Sequence, residues 1–371
     1  MTDALARCVG DIGAFAARHW GRTPAHWRNR GDFGDLLDVA AMEEMLTDLG
    51  RRPTFRVVRD GAPLPPSAYT LRRRVGGADL DDVADIDRIL DLVAGGATVV
   101  AQGLQRHWPP LARFCLDVEA TLGHPVQANA YLSPPGAAAL ARHVDHHDVL
   151  VLQVAGSKGW EIDGLGHVTL VAGDVAYLPA GTQHAARTAT SMSLHITLGL
   201  LTTTYRDVLR RLVDGVDDPE LDRPLPVGFA SAAARDELVA GVQERLRAAG
   251  RALAAADAAA VADREVRRRH RRSRRRWLGR LAVAVDPAAI DDTVVVRAQR
   301  PIVVTEDGTT VVLDVPDRRL RLPRLTAGAL RLLAGGGAVR VGELPGLDAG
   351  DRLVLVRRLV REGVVAPVVP D

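Results

Sequence analysis

Between residues 98 and 202 the chain runs as short β-branched and apolar segments cut by Gly and Pro. The segments are Thr98–Ala101, Val126–Leu132, Val149–Val154, Trp160–Ile162, Val168–Val171, Val175–Leu178 and Ser193–Leu198. Ser133-Pro-Pro-Gly136, Ala172-Gly-Asp174 and Pro179-Ala-Gly181 carry the turn chemistry between them. Many short strands without intervening helices predict an antiparallel sandwich or barrel.

The flanks read differently. Residues 1–100 read as mixed helix: Asp35–Leu46 has apolar residues at helical spacing, and Asp79–Val93 repeats the pattern with an Asp-rich start and Gly95-Gly96 as its stop. Beyond 203 the pattern is helical again, over Tyr205–Val213 and then Ala232–Ala262, which leads into the arginine run Arg264–Arg276. The last segment predicts strands at Val294–Arg297, Val303–Val304, Thr310–Leu313 and Arg319–Leu322, then helices at Thr326–Leu333 and Asp348–Glu362. Strands, two helices and an apolar tail after Gly363 follow the order of a winged-helix module. The expected division is 1–202, 203–284 and 285–371, and 371 residues are ample for two or three cores.

Composition narrows the class. A hydrophobic content of 47% with 25% charged residues describes a soluble globular protein. The formal net charge of +2 gives no global field for nucleic acid. Cys8 and Cys115 are far apart and lack CxxC spacing, so neither a disulfide framework nor a thiolate metal site is expected, and a reducing cytoplasm fits. The N-terminus lacks a signal-peptide pattern, and no apolar run approaches the roughly 20 residues that span a bilayer.

The chemistry concentrates inside the barrel segment. His143-Val-Asp145, followed by His184 just past the Pro179-Ala-Gly181 turn, offers two imidazoles and a carboxylate. That is the ligand set of a non-haem Fe(II) site with open positions. On a strand, His-x-Asp places both side chains on one face. A second match, His146-His147-Asp148, lies beside the first among 11 histidines, and spacing does not choose between them. Between the two arms stands Lys158, a single lysine among 48 basic residues. A cation there is what a dicarboxylate co-substrate such as 2-oxoglutarate needs. The plain alternative is that these histidines are polar loop and turn residues.

Asn129-Ala-Tyr131-Leu-Ser-Pro-Pro-Gly136, His143-Val-Asp145, Asp148–Gln153, Gly156-Ser-Lys158-Gly-Trp160, Ala172–His184 and Ser193-Leu-His195-Ile-Thr197 together resemble the JmjC-domain ribosomal oxygenases of the cupin superfamily. The resemblance is strong over roughly 125–200, with Leu225–Phe229 as a further similar segment. The Arg-over-Lys bias suits a bacterial member. The resemblance implies a mixed α/β chain: a double-stranded β-helix (jelly-roll/cupin, JmjC type) with flanking helices, a helical dimerisation region and a C-terminal winged-helix-like domain.

The resemblance also selects the register, because the first histidine stands 12 residues after Tyr131 and 15 before Lys158. His143, Asp145 and His184 are then the implied Fe(II) ligands and catalytic centre. Lys158, with Tyr131 and Thr197, is implied to hold 2-oxoglutarate, with Asn129 and His195 lining the pocket. The implied activity is an O2-consuming 2-oxoglutarate-dependent hydroxylase. Its substrate would be a protein side chain such as an arginine or histidine of a ribosomal protein, and its assembly a cytoplasmic homodimer.

Two rivals use the same residues differently: a tailoring hydroxylase of a peptide or small natural product, and a metal-sensing cupin regulator that reads DNA through the winged helix. Arg264–Arg276 suits phosphate contact, though a solvated arginine-rich helix end is the simpler reading. In the final helix the spacing of Leu353, Val356 and Val360 reads first as core. Trp20, Trp27, Trp108 and Trp160 read as core aromatics, and Cys8 and Cys115 as buried fillers.

Overall fold

Fifteen consecutive residues, Asp148–Ile162, form one strand where the sequence predicts two. Gly156 does not end it but bends it. Its φ of +63° lies in the left-handed region, and a Cβ built there would stand 1.8 Å from the Met192 carbonyl oxygen. Only glycine satisfies both conditions. The bend lets one strand serve two sheets.

This computed structural model describes residues 3–137, 141–188, 190–272, 280–298, 302–315 and 318–368. Internal contacts divide it into two units, Met1–Thr204 and Tyr205–Asp371.

In the first unit the strands are β1 (Ala25–Trp27), β2 (Phe55–Arg59), β3 (Ala62–Pro63), β4 (Thr70–Val75), β5 (Ala78–Ala84), β6 (Thr98–Ala101), β7 (Val126–Ser133), β8 (His143–Val144), β9 (Asp148–Ile162), β10 (Gly166–Val171), β11 (Val175–Leu178), β12 (Gln183–Arg187) and β13 (Ser193–Leu200). The larger sheet runs β1-β11-β9-β13-β7-β6-β2-β3. In the smaller sheet the second half of β9 lies between β10 and β12, and β12 also pairs with β8. Every named pairing is antiparallel. The antiparallel barrel expected from the sequence is thus present, with mixed α/β content.

Helices α1 (Ala4–Val9), α2 (Ile12–Arg18), α3 (Val39–Leu49), α4 (Ile86–Ala94) and α5 (Pro109–Leu122) cover the larger sheet. The first four begin at Asp3, Asp11, Asp38 and Asp85, whose carboxylates accept from first-turn amides. Along β13, Leu194, Ile196, Leu198 and Leu200 join the helix-side core with Phe55, Val57, Val99, Leu150 and Leu152. Ser193, His195 and Thr197 alternate with them and face the barrel interior. In β7 the same period of two puts Ala128 and Ala130 into the core and Asn129, Tyr131 and Ser133 inside the barrel.

The expected helix Asp79–Val93 is corrected. Residues 78–84 are β5, paired with β4, and the helix starts at Ile86. The acidic stretch is held extended by arginines: Arg72 pairs with Asp79 at 2.8 Å and Arg51 with Asp82 at 2.9 Å. The first hundred residues are therefore less helical than their composition suggests.

The second unit contains α6 (Tyr205–Asp214), α7 (Arg235–Ala254), α8 (Ala258–Arg272), α9 (Arg280–Val285), β14 (Val295–Ala298), β15 (Val303–Asp307), β16 (Thr310–Val315), β17 (Arg318–Pro323), α10 (Ala327–Ala334), β18 (Ala338–Arg340), α11 (Ala349–Arg361) and β19 (Val365–Pro367). Sheets β18-β14-β19 and β15-β16-β17 share a core with α10 and α11, in which Leu330, Leu333, Val356 and Val360 are buried. The single helix expected over Ala232–Ala262 is two helices. Asp257 accepts from the amides of Ala259 and Ala260 and so starts a new helix. Of the run Arg264–Arg276, residues 273–276 lie outside the described residues. Among the described residues no helix is long and apolar enough to cross a membrane.

Candidate metal centre

Strand β8 lies against β12 with His143 opposite His184, so the two imidazoles face one another at 4.4 Å between ring centroids. Asp145 follows β8 directly, and its carboxylate oxygen is 3.7 Å from His184 Nε2. One ligand atom each from His143, Asp145 and His184 lies within 4.8 Å of the others, a spacing that can close on a single ion. The second match is not part of this cluster. Asp148 points elsewhere and is 3% exposed, accepting from the Ala180 amide at 2.9 Å and from the Tyr177 hydroxyl. The His147 ring is 3.3 Å from the Gln127 amide.

Both clustered imidazoles are held by backbone. His143 Nδ1 is 2.8 Å from the Ala141 carbonyl and His184 Nδ1 is 3.0 Å from the Thr182 carbonyl. A carbonyl only accepts, so each Nδ1 carries the proton and Nε2 keeps a lone pair for a metal. Burial, foremost, holds the His184 pKa below its ordinary value, with the neighbouring His143 adding to it. The neutral form is the ligand form. The turn before β12 is fixed as well: the Gly181 amide donates to the Asp145 carbonyl at 2.9 Å.

Behind the cluster opens a cavity of about 350 Å³, lined by Arg56, Gln102, Asn129, Tyr131, Lys158, Trp160, His195 and Thr197 as well as the three ligand residues. Lys158 is 1% exposed and donates to the Ser133 hydroxyl at 3.1 Å. Among the described residues it has no carboxylate partner, and burial lowers its pKa from 10.5 to about 8. The His195 ring stacks on Tyr131 with centroids 4.8 Å apart and planes 2° from parallel. Burial, and then the charge of Lys158, keeps His195 well below its usual pKa, so it is neutral. Burial raises the Tyr131 phenol, opposed by Arg56. Asn129 accepts from the Gly103 amide at 3.0 Å, and Thr197 lies opposite it across β7 and β13.

All eight residues singled out from the sequence line this one cavity. Three more polar groups carried no role in the sequence reading. Ser133 continues the period-two series Asn129, Tyr131 and was legible in principle. Arg56 and Gln102 come from segments where no chemistry was sought. Trp160 is a buried core aromatic as expected and also borders the cavity, 5.5 Å from the His195 ring and 6.0 Å from the His184 ring. The other three tryptophans do pack against the helix-side core. Cys8 and Cys115 are buried, and burial pushes the Cys8 thiol up to about 12, so it is no nucleophile.

The pocket suits a polar ligand. His195 Nδ1, Trp160 Nε1 and Arg56 Nε are buried without hydrogen-bond partners. Such groups in a cavity wall call for donors and acceptors that the chain does not supply.

Residues 105–167 match the JmjC domain family model. Over 148 residues the chain is 32% identical to the bifunctional lysine-specific demethylase and histidyl-hydroxylase NO66 of Branchiostoma floridae, covering 37% of this chain and 24% of that protein. It is 24% identical over 254 residues to the protein of the same name from Drosophila persimilis, covering 58% and 34%. The chain thus spans about a quarter to a third of the length of these relatives. In fold it is similar to the Escherichia coli ribosomal oxygenase YcfD, with a TM-score of 0.55 and 16% identity over 96% of this chain and 98% of that one. A structure of YcfD with cobalt and 2-oxoglutarate aligns with a TM-score of 0.54 and 15% identity over 97% and 99%. Within the first unit, residues 105–167 are thus similar to a JmjC domain.

Proposed function

We propose that the chain is an Fe(II)- and 2-oxoglutarate-dependent oxygenase that hydroxylates a protein side chain, with an arginine or histidine of a ribosomal protein as the expected target. The carrying observation is that the His143, Asp145, His184 cluster and the buried, acid-free amine of Lys158 open on one cavity. The printed names of the relatives and of the cobalt and 2-oxoglutarate complex support the same reading. His143, Asp145 and His184 would hold the metal. Lys158 would hold the distal carboxylate of the co-substrate, assisted by Tyr131 and Thr197, with Asn129 and His195 completing the wall. Bound Fe(II) with 2-oxoglutarate and O2 supplies the oxidation of a C–H bond to an alcohol, with succinate and CO2 formed alongside.

The chain's own contribution is placement. The Ala141 and Thr182 carbonyls fix the imidazole tautomers. Lys158 opposes one end of a dicarboxylate, and the stacked Tyr131 and His195 rings give a rigid polar wall. The apolar patch of Val149, Val151 and Leu178 keeps water from the ligands' flank.

The finer architecture belongs to the same reading. Residues 203–284 would be a dimerisation region, which exposed Tyr205, Leu209 and Leu246 on α6 and α7 support. Residues 285–371 would be a winged-helix-like domain, supported by α10 and α11 with their two small sheets. Arg264–Arg276 would face ribosomal RNA during docking, which a steep salt dependence of ribosome binding would reveal.

The test is succinate formation from 2-oxoglutarate with Fe(II), ascorbate and ribosomal proteins, together with mass spectrometry for one added oxygen on one peptide. Turnover that is absent in the wild type, coupled or uncoupled, sinks the reading. Sequence-selective DNA binding without turnover would favour the regulator instead.

A further inference from the structure

Strand β2 sends one charged side chain into the cavity. Arg56 lies opposite Val100 on β6, Val100 opposite Tyr131 on β7, and Tyr131 opposite His195 on β13. The four form one cross-strand row, which places Arg56 on the cavity side of the larger sheet with the stacked Tyr131 and His195 pair. The guanidinium acts on the Tyr131 hydroxyl, the same hydroxyl that feels the Asp145 carboxylate. Its charge therefore sits toward the metal cluster and not at the outer surface.

Arg56 has no ion-pair partner among the described residues, and its Nε is buried without any hydrogen bond. Its guanidinium hydrogen-bonds the neutral Tyr131 hydroxyl and no carboxylate among the described residues. A guanidinium stays charged at any relevant pH and presents five donors in a fixed fork. Buried charges are normally paired. The cavity thus sets two cations, Arg56 and Lys158, against one carboxylate, Asp145.

One cation is accounted for by the distal carboxylate of 2-oxoglutarate. The second is not. Lys158 and Arg56 reach the cavity from different strands, β9 and β2.

We propose that Arg56 is a second carboxylate-binding site of this cavity, distinct from Lys158. The proposal rests on the co-substrate reading for the first site. The shared ligand chemistry is a carboxylate oxygen, and it has two sources: the keto-acid end of the co-substrate, or an acidic group of the substrate itself.

The experiment is calorimetric titration of the Mn(II)-loaded full chain, which reads binding and not turnover. The proteins are wild type, Arg56→Gln and Arg56→Lys, with thermal melts to verify folding. The probes are 2-oxoglutarate, 2-oxobutyrate, which lacks a distal carboxylate and so bypasses Lys158, and N-acetyl-aspartate amide added after saturation with 2-oxoglutarate.

If Arg56 serves the keto-acid end, Arg56→Gln weakens 2-oxoglutarate and 2-oxobutyrate alike by tenfold or more. If it serves the substrate, Arg56→Gln leaves both keto acids within twofold and abolishes binding of the aspartate probe. Arg56→Lys restores part of the lost affinity in either case, because charge is kept and the fork is lost. Wild-type affinities for all three probes in a folded Arg56→Gln protein overturn the proposal while leaving the co-substrate reading intact. A wild type that binds none of the probes overturns both.

Discussion

Lys158 donates to the Ser133 hydroxyl at 3.1 Å, so the buried amine rests on a neutral oxygen and not on a carboxylate. Ser133 in turn accepts from Thr98 Oγ1 at 2.9 Å, and the chain of hydroxyls holds the amine without neutralising it. Burial alone brings its pKa down to about 8.

That value sets a pH dependence. Below about pH 8 the amine is protonated in both folded and unfolded chains. Between about 8 and 10.5 only the unfolded chain keeps the proton, so this group makes stability rise with pH across the window. Dicarboxylate binding runs the other way, because it needs the charged amine. The Kd of the Mn(II)-loaded protein for 2-oxoglutarate should be flat below about pH 7.5 and rise toward tenfold per pH unit above 8. Lys158→Met should bind weakly with no such slope. A wild-type profile as flat as that of the variant would remove Lys158 from the co-substrate site.

The two histidine–aspartate matches predict opposite outcomes. His143→Ala or His184→Ala should lower Co(II) or Mn(II) affinity by on the order of a hundredfold, since each leaves two ligands of three. His146→Ala, outside the cluster, should stay within about twofold of wild type. Metal titration by calorimetry reads all three, and loss of affinity in His146→Ala would reverse the choice of register.

Asp148 is absent from the ligand set yet acts on it through backbone. It accepts from the Ala180 amide, and the next amide, Gly181, donates to the Asp145 carbonyl. Asp148→Ala leaves both the Ala180 amide and the buried Tyr177 hydroxyl short of an acceptor, a loss of roughly 2–4 kcal/mol. Asp148→Asn keeps one acceptor oxygen and should lose less. Urea unfolding gives the stability and metal titration the effect on Asp145. An alanine variant as stable as wild type would show that the turn is held without this carboxylate.

The barrel was legible in the short strands and their turns, whereas Asn129, Tyr131, His195 and Thr197 came from the resemblance; the structure adds that they alternate with Ala128, Ala130, Ile196 and Leu198 of the core. Residue types alone left two histidine–aspartate matches open, and the family resemblance pointed to His143 and Asp145, which the structure places in a cluster with His184. Lost were features decided by distant partners. The strand character of Ala78–Ala84 depends on arginines of β4 and on Arg51, and nothing local distinguishes its aspartates from a helix start. Arg56 sits among Phe55, Val57 and Val58 as one arginine in an arginine-rich chain, and only the sheet register brings it to the cavity. Trp160 is the core filling that its apolar neighbours suggest, and it borders the cavity as well. The site beside it exists only after β9 bends.

Gly156→Ala should therefore be the most disruptive single-methyl change in the barrel. Left-handed backbone costs a non-glycine residue about 1–3 kcal/mol, and the Met192 carbonyl occupies the space that the new carbon needs. The expected result is a lower urea midpoint together with weakened 2-oxoglutarate binding, because Lys158 lies two residues beyond the bend. Unchanged stability would mean that the bend does not require glycine.

The shared strand has a metrological consequence. Ile162 faces His184 across the sheet, and His184 faces His143, so the step from the lysine to the imidazoles is four residues of one continuous strand, about 13 Å of backbone. The gap is set by four peptide units and two backbone-paired neighbouring strands of one sheet. Breathing of the sandwich cannot stretch it, and an inserted residue would change it by a whole quantum while turning every later side chain to the opposite face.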